Sequence, residues 1–124
     1  MEAEAAARAL VGTPFRLHGR DPATGLDCVG LVAAVHGASG VPRGYSIRTA
    51  DARVLGDGLR AAGLEPVVVP RTGDVLIMRP GPAQLHLGIA TAEGTIHAHA
   101  GLGRVVETPG APPWPVIARY RKED

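Results

Sequence analysis

The sequence predicts an α+β fold, with helices first and an antiparallel sheet of about five or six strands after them. Three observations carry this. The 124 residues, set against about 150 per domain, suffice for one core and leave no room for a second. Apolar residues recur at helical spacing in the first half of the chain. Beyond Gly63 the period shortens, and β-branched segments alternate with Gly or Pro.

Taken in order, Ala3 to Val11 is rich in Ala, with Glu2 and Glu4 placed where a helix dipole favours negative charge. Gly12 and Pro14 stop that helix. Arg16 to Gly25 is turn chemistry, punctuated by Asp-Pro and Gly. A second helix begins at or beside Cys28, because Cys28, Leu31, Val32 and Val35 fall at i, i+3, i+4 and i+7. Val29, Ala33 and Ala34 widen its apolar surface beyond one stripe, so it is buried on more than one side, and Gly37 and Gly40 end it. Val41 to Thr49 reads as irregular. An amphipathic helix follows from Thr49 or Asp51 to Ala62, closed by Gly63. The strands are Val67 to Val69, Val75 to Met78, His86 to Thr91, Thr95 to Ala100, Arg104 to Glu107 and Val116 to Tyr120.

Composition removes several classes of function. Thirteen basic and twelve acidic residues leave a net +1, and the four aromatics are scattered, so nucleic acid finds neither a basic block nor a stacking platform. No apolar run approaches the ~20 residues of a membrane span. The N-terminus carries acids where a secretory signal carries Lys or Arg, which reads as cytoplasmic synthesis without a signal peptide. Twenty Ala and twelve Arg against one Lys and no Asn reflect base composition, yet two absences constrain chemistry. With Cys28 alone, no internal disulfide and no four-thiolate zinc site can form. Without Asn, a Cys-His-Asn triad is excluded.

Cys28 is the first candidate for chemistry. At a helix N-terminus a thiol meets free N–H groups and the positive dipole end, both of which favour thiolate; the alternative is a cysteine buried as a small hydrophobe. Alternation in Leu85 to Ala90 sets His86, Gly88 and Ala90 on one face. That face is kept small, as a helix lying against it would require, and brings Cys28 within reach of His86 as general base. Across the turn Ala92-Glu93-Gly94, His97 and His99 share a face, and either can orient the base. The same three histidines could instead hold zinc. The reading preferred here uses no metal and no cofactor, because the only acid in that hairpin is Glu93.

The segments GTPFRLHGRDPATGLDCVGLV, GDVLIMR, HLGIATAEGTIHA and VVE, in that order, resemble the NlpC family of peptidoglycan cysteine endopeptidases. The match runs from Ala3 to about Tyr120 and makes residues 1–124 a single peptidase domain with a papain-like fold. The form with Val29 after the cysteine is most similar to the branch carried by tailed phages and gene transfer agents. The resemblance implies that Cys28 is the nucleophile, His86 the base and His97 the group that orients it, with His99 the rival third residue. It places Asp27 near the substrate's free amine, a role compatible with a helix N-cap. Phe15 stands where the family has a tyrosine at the substrate site, so the ring is kept and the hydroxyl lost. Asp74 of the GDV motif reads as a turn cap.

The implied activity is hydrolysis of an amide in bacterial stem peptides, between D-glutamate and the diamino acid. The implied location is a virion or similar particle acting at the cell wall, with phage-tail proteins as partners. Two alternatives stay open: a tail-tip docking module of the same fold with little activity, favoured by Phe15, and an amidase or transacylase using the same dyad.

Overall fold

In the computed structural model, residues 2–37 and 52–122 are described. The chain forms helix α1 (Ala3–Ala9), strands β1 (Arg20–Asp21) and β2 (Gly25–Leu26), and helices α2 (Cys28–His36) and α3 (Ala52–Ala61). Strands β3 (Leu64–Pro66), β4 (Val75–Met78), β5 (His86–Ala90), β6 (Gly94–His99), β7 (Arg104–Pro109) and β8 (Val116–Lys122) follow. The last six make one antiparallel sheet in the order β3-β8-β4-β5-β6-β7. Helices first and a six-stranded sheet after them is the α+β plan the sequence predicts.

Apart from β7 and β8, which each run two residues further than expected, three elements differ from expectation. The turn-rich stretch before Cys28 contains the small hairpin β1–β2, paired Arg20 to Leu26 and Asp21 to Gly25, with the Asp21 carboxylate accepting from Ala23 N–H at 2.9 Å. β3 lies three residues before the valines expected to form it. Leu64 is fully buried opposite Lys122, while Val68 and Val69 are 91% and 75% exposed; burial of one leucine decides the pairing over β propensity. α1 ends at Ala9, with Leu10 as its C-cap, two residues short of Val11. The irregular reading of Val41 to Thr49, the Gly40 stop and the first residues expected of the third helix lie outside the described residues.

α2 is buried along its first turn and beyond, from Cys28 through Val32, and Gly37 ends it in the left-handed conformation (φ 64°). It packs with α1 and α3 on the sheet face carrying Val75, Ile77, Leu87, Ile89, Ile96, Ala98 and Val105. The small face of β5 is therefore not the one that receives the helix. A Cβ at Gly88 would meet Met78 Cε and Thr95 Cγ2, so the space there is filled by neighbouring strands. The helix meets β5 at its start, through Cys28, whose sulfur faces Leu87 N–H.

Two polar clusters lock the frame. Arg8 on α1 bonds Glu107 on β7 at 2.5 Å and Glu93 in the β5–β6 turn at 3.2 Å. Asp74, fully buried, accepts from Arg71 N–H at 2.9 Å, the turn cap expected of it, and takes Arg121 in a two-pronged pair at 2.7 and 3.0 Å.

Candidate active site

Asp27 starts α2. Its backbone is extended (φ −95°, ψ −172°), and its Oδ1 accepts from Gly30 N–H at 2.8 Å, as an N-cap does. Its Oδ2 accepts from His18 N–H at 2.8 Å, tying down the preceding loop where His18 itself takes a left-handed φ of 59°. That loop touches α2 with no side chain between them. A Cβ at Gly30 would overlap the Gly19 carbonyl oxygen, which explains the glycine two residues after the cysteine.

Cys28 follows, 3% exposed. Its sulfur is faced by the backbone N–H groups of Leu87, Val29 and Cys28 itself, and so lies beside the residue that follows His86. These amides favour thiolate, as expected of a helix N-terminus, but burial opposes them and Asp27 adds its charge in the same direction. The thiol is pushed up to about 12 from its ordinary 9.0. Three pKa units amount to about 4 kcal/mol, whereas a helix terminus supplies about 2 at most. Desolvation wins, and the resting group is a neutral thiol.

His86 opens β5, and β5 is in register with β6 only at Ile89 and Ala90. There His86 Nε2 lies 3.1 Å from His97 Nδ1, and His97 Nε2 lies 2.9 Å from Thr108 Oγ1 on β7. The three groups form a continuous polar chain. Burial first, and then the neighbouring imidazoles, push His86 down to about 3 and His97 down to about 4, so both rings are neutral near pH 7. With both neutral, the chain supports two proton arrangements. In the one that leaves His86 Nδ1 free as a base, His86 Nε2–H donates to His97 Nδ1 and His97 Nε2–H donates to Thr108.

His99 stands apart from this chain. Its Nδ1 accepts from Leu102 N–H at 3.0 Å within the β6–β7 turn, and its ring centre is 5.7 Å from that of His97. Phe15 bridges Leu26, its N–H donates to the Gly103 carbonyl at 2.8 Å, and its half-buried ring packs on the core. The loop before α2 also walls an open cleft of about 540 Å³ lined by Arg16, His18, Arg20, Asp21 and Thr24 among others.

No family model matches the sequence, and no curated protein does. Among solved structures, the chain is similar to the NlpC/p60 domain of the peptidoglycan hydrolase SagA. The two are 26% identical with a TM-score of 0.57, and the match covers 86% of each chain. The fold is that of an NlpC/p60 domain.

Within this NlpC/p60 fold the sequence pointed to Cys28, His86 and His97 but missed two residues. Thr108 was within reach of sequence reasoning, since pairing of His97 with Val106 puts Thr108 two residues along on the same face. Trp114 carries no such signal. It comes from the β7–β8 connection, and its indole meets His86 and His97 edge-on at 5.2 and 5.5 Å between ring centres. Among the described residues, no three His, Cys, Asp or Glu side chains are arranged to hold a metal ion; His86 and His97 spend ring nitrogens on each other and on Thr108. A thiol beside a strand that delivers an oriented, neutral imidazole is an arrangement for nucleophilic acyl transfer.

Proposed function

We propose that this protein is a peptidoglycan hydrolase acting as a cysteine peptidase, with Cys28 as nucleophile, His86 as base and His97 as the residue that orients it. The observations that carry the reading are the His86–His97–Thr108 chain and the buried Cys28 thiol, whose sulfur faces the backbone N–H of Leu87, the residue after His86. As Cys28 sulfur bonds the scissile carbonyl carbon, its proton passes to His86 Nδ1. The imidazolium returns that proton to the departing amine, leaving a thioester. Water then attacks, His86 takes its proton and gives it to the sulfur, and the acid is released. These steps balance with the chain's own groups and water.

His97 keeps His86 in the competent tautomer by accepting from its Nε2–H, the role an Asn or Asp fills in other triads. The backbone N–H groups of Cys28 and Val29 belong to the first helical turn, have no helical partner and face the sulfur; they are the donors for the developing oxyanion. One such donor is worth roughly 10²–10³ in kcat, which compensates for the hydroxyl Phe15 lacks. Asp27 and Phe15 belong to the substrate side, with the Asp27 carboxylate set to meet a free amine. Arg16 and Arg20 outnumber Asp21 in the adjoining cleft, which suits a carboxylate-bearing stem peptide. The finer assignments rest on the resemblance: the D-glutamyl–diamino acid bond on the NlpC-like motifs as a whole, and the tail-associated particle on the form of the GRDPATGLDCVGLV segment.

The test is digestion of purified muropeptides followed by mass spectrometry. Wild type releases a new amine at a stem-peptide amide, and Cys28→Ala releases none. Alkylation supplies a second readout: with a neutral resting pair, iodoacetamide labels native Cys28 at a rate rising about tenfold per pH unit between pH 6 and 9, with no acid plateau. Intact muropeptides after prolonged digestion would overturn the peptidase reading in favour of the docking module that Phe15 suggests.

A further inference from the structure

Trp114 is the chain's single tryptophan and one of its four aromatic residues. It is half-buried and is not among the apolar side chains that form the core. Its ring contacts are the two imidazoles of the candidate site. The planes of His86 and His97 cross at 89°, and the indole crosses them at 83° and 80°, so three nearly perpendicular rings close on one another with centres 5.1 to 5.5 Å apart. Edge-to-face packing of this kind is favoured by the ring quadrupoles and fixes the ring planes.

The segment that brings the indole there is stiff. Pro112, Pro113 and Pro115 surround Trp114, fixing their own φ and restricting Trp114, as the residue before a proline, to an extended backbone. Both ends are tied to the sheet. Gly110 N–H donates to the Glu93 carbonyl at 2.8 Å, and the Pro115 carbonyl accepts from Arg79 N–H at 2.9 Å. A strap restrained this way holds a large ring in place at little further entropic cost.

We propose that Trp114 is a positioning residue that holds His86 and His97 in their hydrogen-bonded, perpendicular pose and shuts that side of the pair off from water. The other groups facing the pair are His99 from β6 and the Thr108 hydroxyl from β7; Trp114 adds bulk and no charge. Burial is the first cause of the low pKa of both imidazoles, and the indole supplies part of that burial. The kinetic consequence rests on the peptidase reading above, whereas the effect on the histidines does not.

The experiment is an NMR titration of the His86 and His97 rings in wild type, Trp114→Phe and Trp114→Ala, alongside the acid limb of kcat/KM for muropeptide cleavage. Both histidines titrate well below 6.5 in wild type, stay close to that in Trp114→Phe, and move up by at least one pH unit in Trp114→Ala, with the acid limb following. Coincident titrations in all three proteins would overturn the proposal. If the histidines move and no variant cleaves muropeptides, the peptidase reading fails and the positioning role stands. Wild-type fluorescence gives an independent check should Trp114→Ala not fold, because an adjacent imidazolium quenches indole: emission falls with a midpoint below pH 5, and a midpoint at the ordinary histidine value of 6.5 would equally overturn the proposal.

Discussion

Two buried aspartates, Asp27 and Asp74, look alike in the sequence and are used differently. Both cap a turn of backbone, and both are almost wholly shielded, at 5% and 0% exposure. Asp74 is matched by cations, with Arg121 across both oxygens and Arg119 at 3.7 Å. Asp27 receives two backbone N–H groups, and no cationic side chain bonds it among the described residues. A buried charge neutralised on the spot serves the frame. One satisfied only by amide dipoles keeps a field that reaches its surroundings, and here that field raises the Cys28 thiol.

The contrast can be broken most forcefully at Asp74. Asp74→Ala leaves Arg121 without its buried partner, and losing one member of such a pair costs about 3–5 kcal/mol; urea unfolding should show that loss. Asp27→Ala removes the cap, at about 0.5–2 kcal/mol, and the acceptor of His18 N–H, at about 1 kcal/mol for a hydrogen bond, so a loss greater than that at Asp74 would erase the distinction. Asp27→Asn sharpens it: asparagine caps as well as aspartate but carries no charge, and its one oxygen can accept from only one of Gly30 N–H and His18 N–H, so stability falls by about 1 kcal/mol while the thiol pKa falls. Alkylation of Cys28 at pH 9 should then run a few-fold faster than in wild type.

Acid and base test the site as a whole. Between the ordinary histidine value of 6.5 and the lowered values of about 4 and 3, the unfolded chain binds protons that the folded one does not, so stability falls as pH drops through that window. Between 9.0 and about 12 the unfolded chain loses the thiol proton that folded Cys28 keeps, so stability falls again as pH rises. Melting temperature against pH should therefore peak between about 6.5 and 9, and the acid arm should flatten in a His86→Gln, His97→Gln double variant. The smallest effect is at Phe15→Tyr. A restored hydrogen bond of about 1 kcal/mol corresponds to roughly a fivefold rise in kcat.

What the sequence made legible follows from the range of the forces involved. β4 is found over Val75–Met78, as its β-branched run predicts, and α2 starts at Cys28 because Asp27 is a local capping signal. β3 was misread because Val67 to Val69 have the propensity but Leu64 has the partner, opposite Lys122, 58 residues away. The site divides the same way. Alternation within one hairpin put His97 and His99 on one face; which of them bonds His86 depends on how β5 meets β6, and the structure places His97 there. The thiol pKa reversed for a related reason, since a helix terminus can be read locally while burial belongs to the whole fold. Trp114 reaches the histidines through a loop, and no periodicity in the sequence could announce it.

The bare contact of Gly30 with Gly19 bears on engineering. With the Asp27 bond to His18 N–H it joins the cleft-lining loop and the helix that carries Cys28 into one unit. A loop grafted in to retarget the cleft would carry Cys28 with it, so Gly19, Asp27 and Gly30 must be transplanted as a set, while the exposed positions Arg16 and Leu17 remain free for redesign.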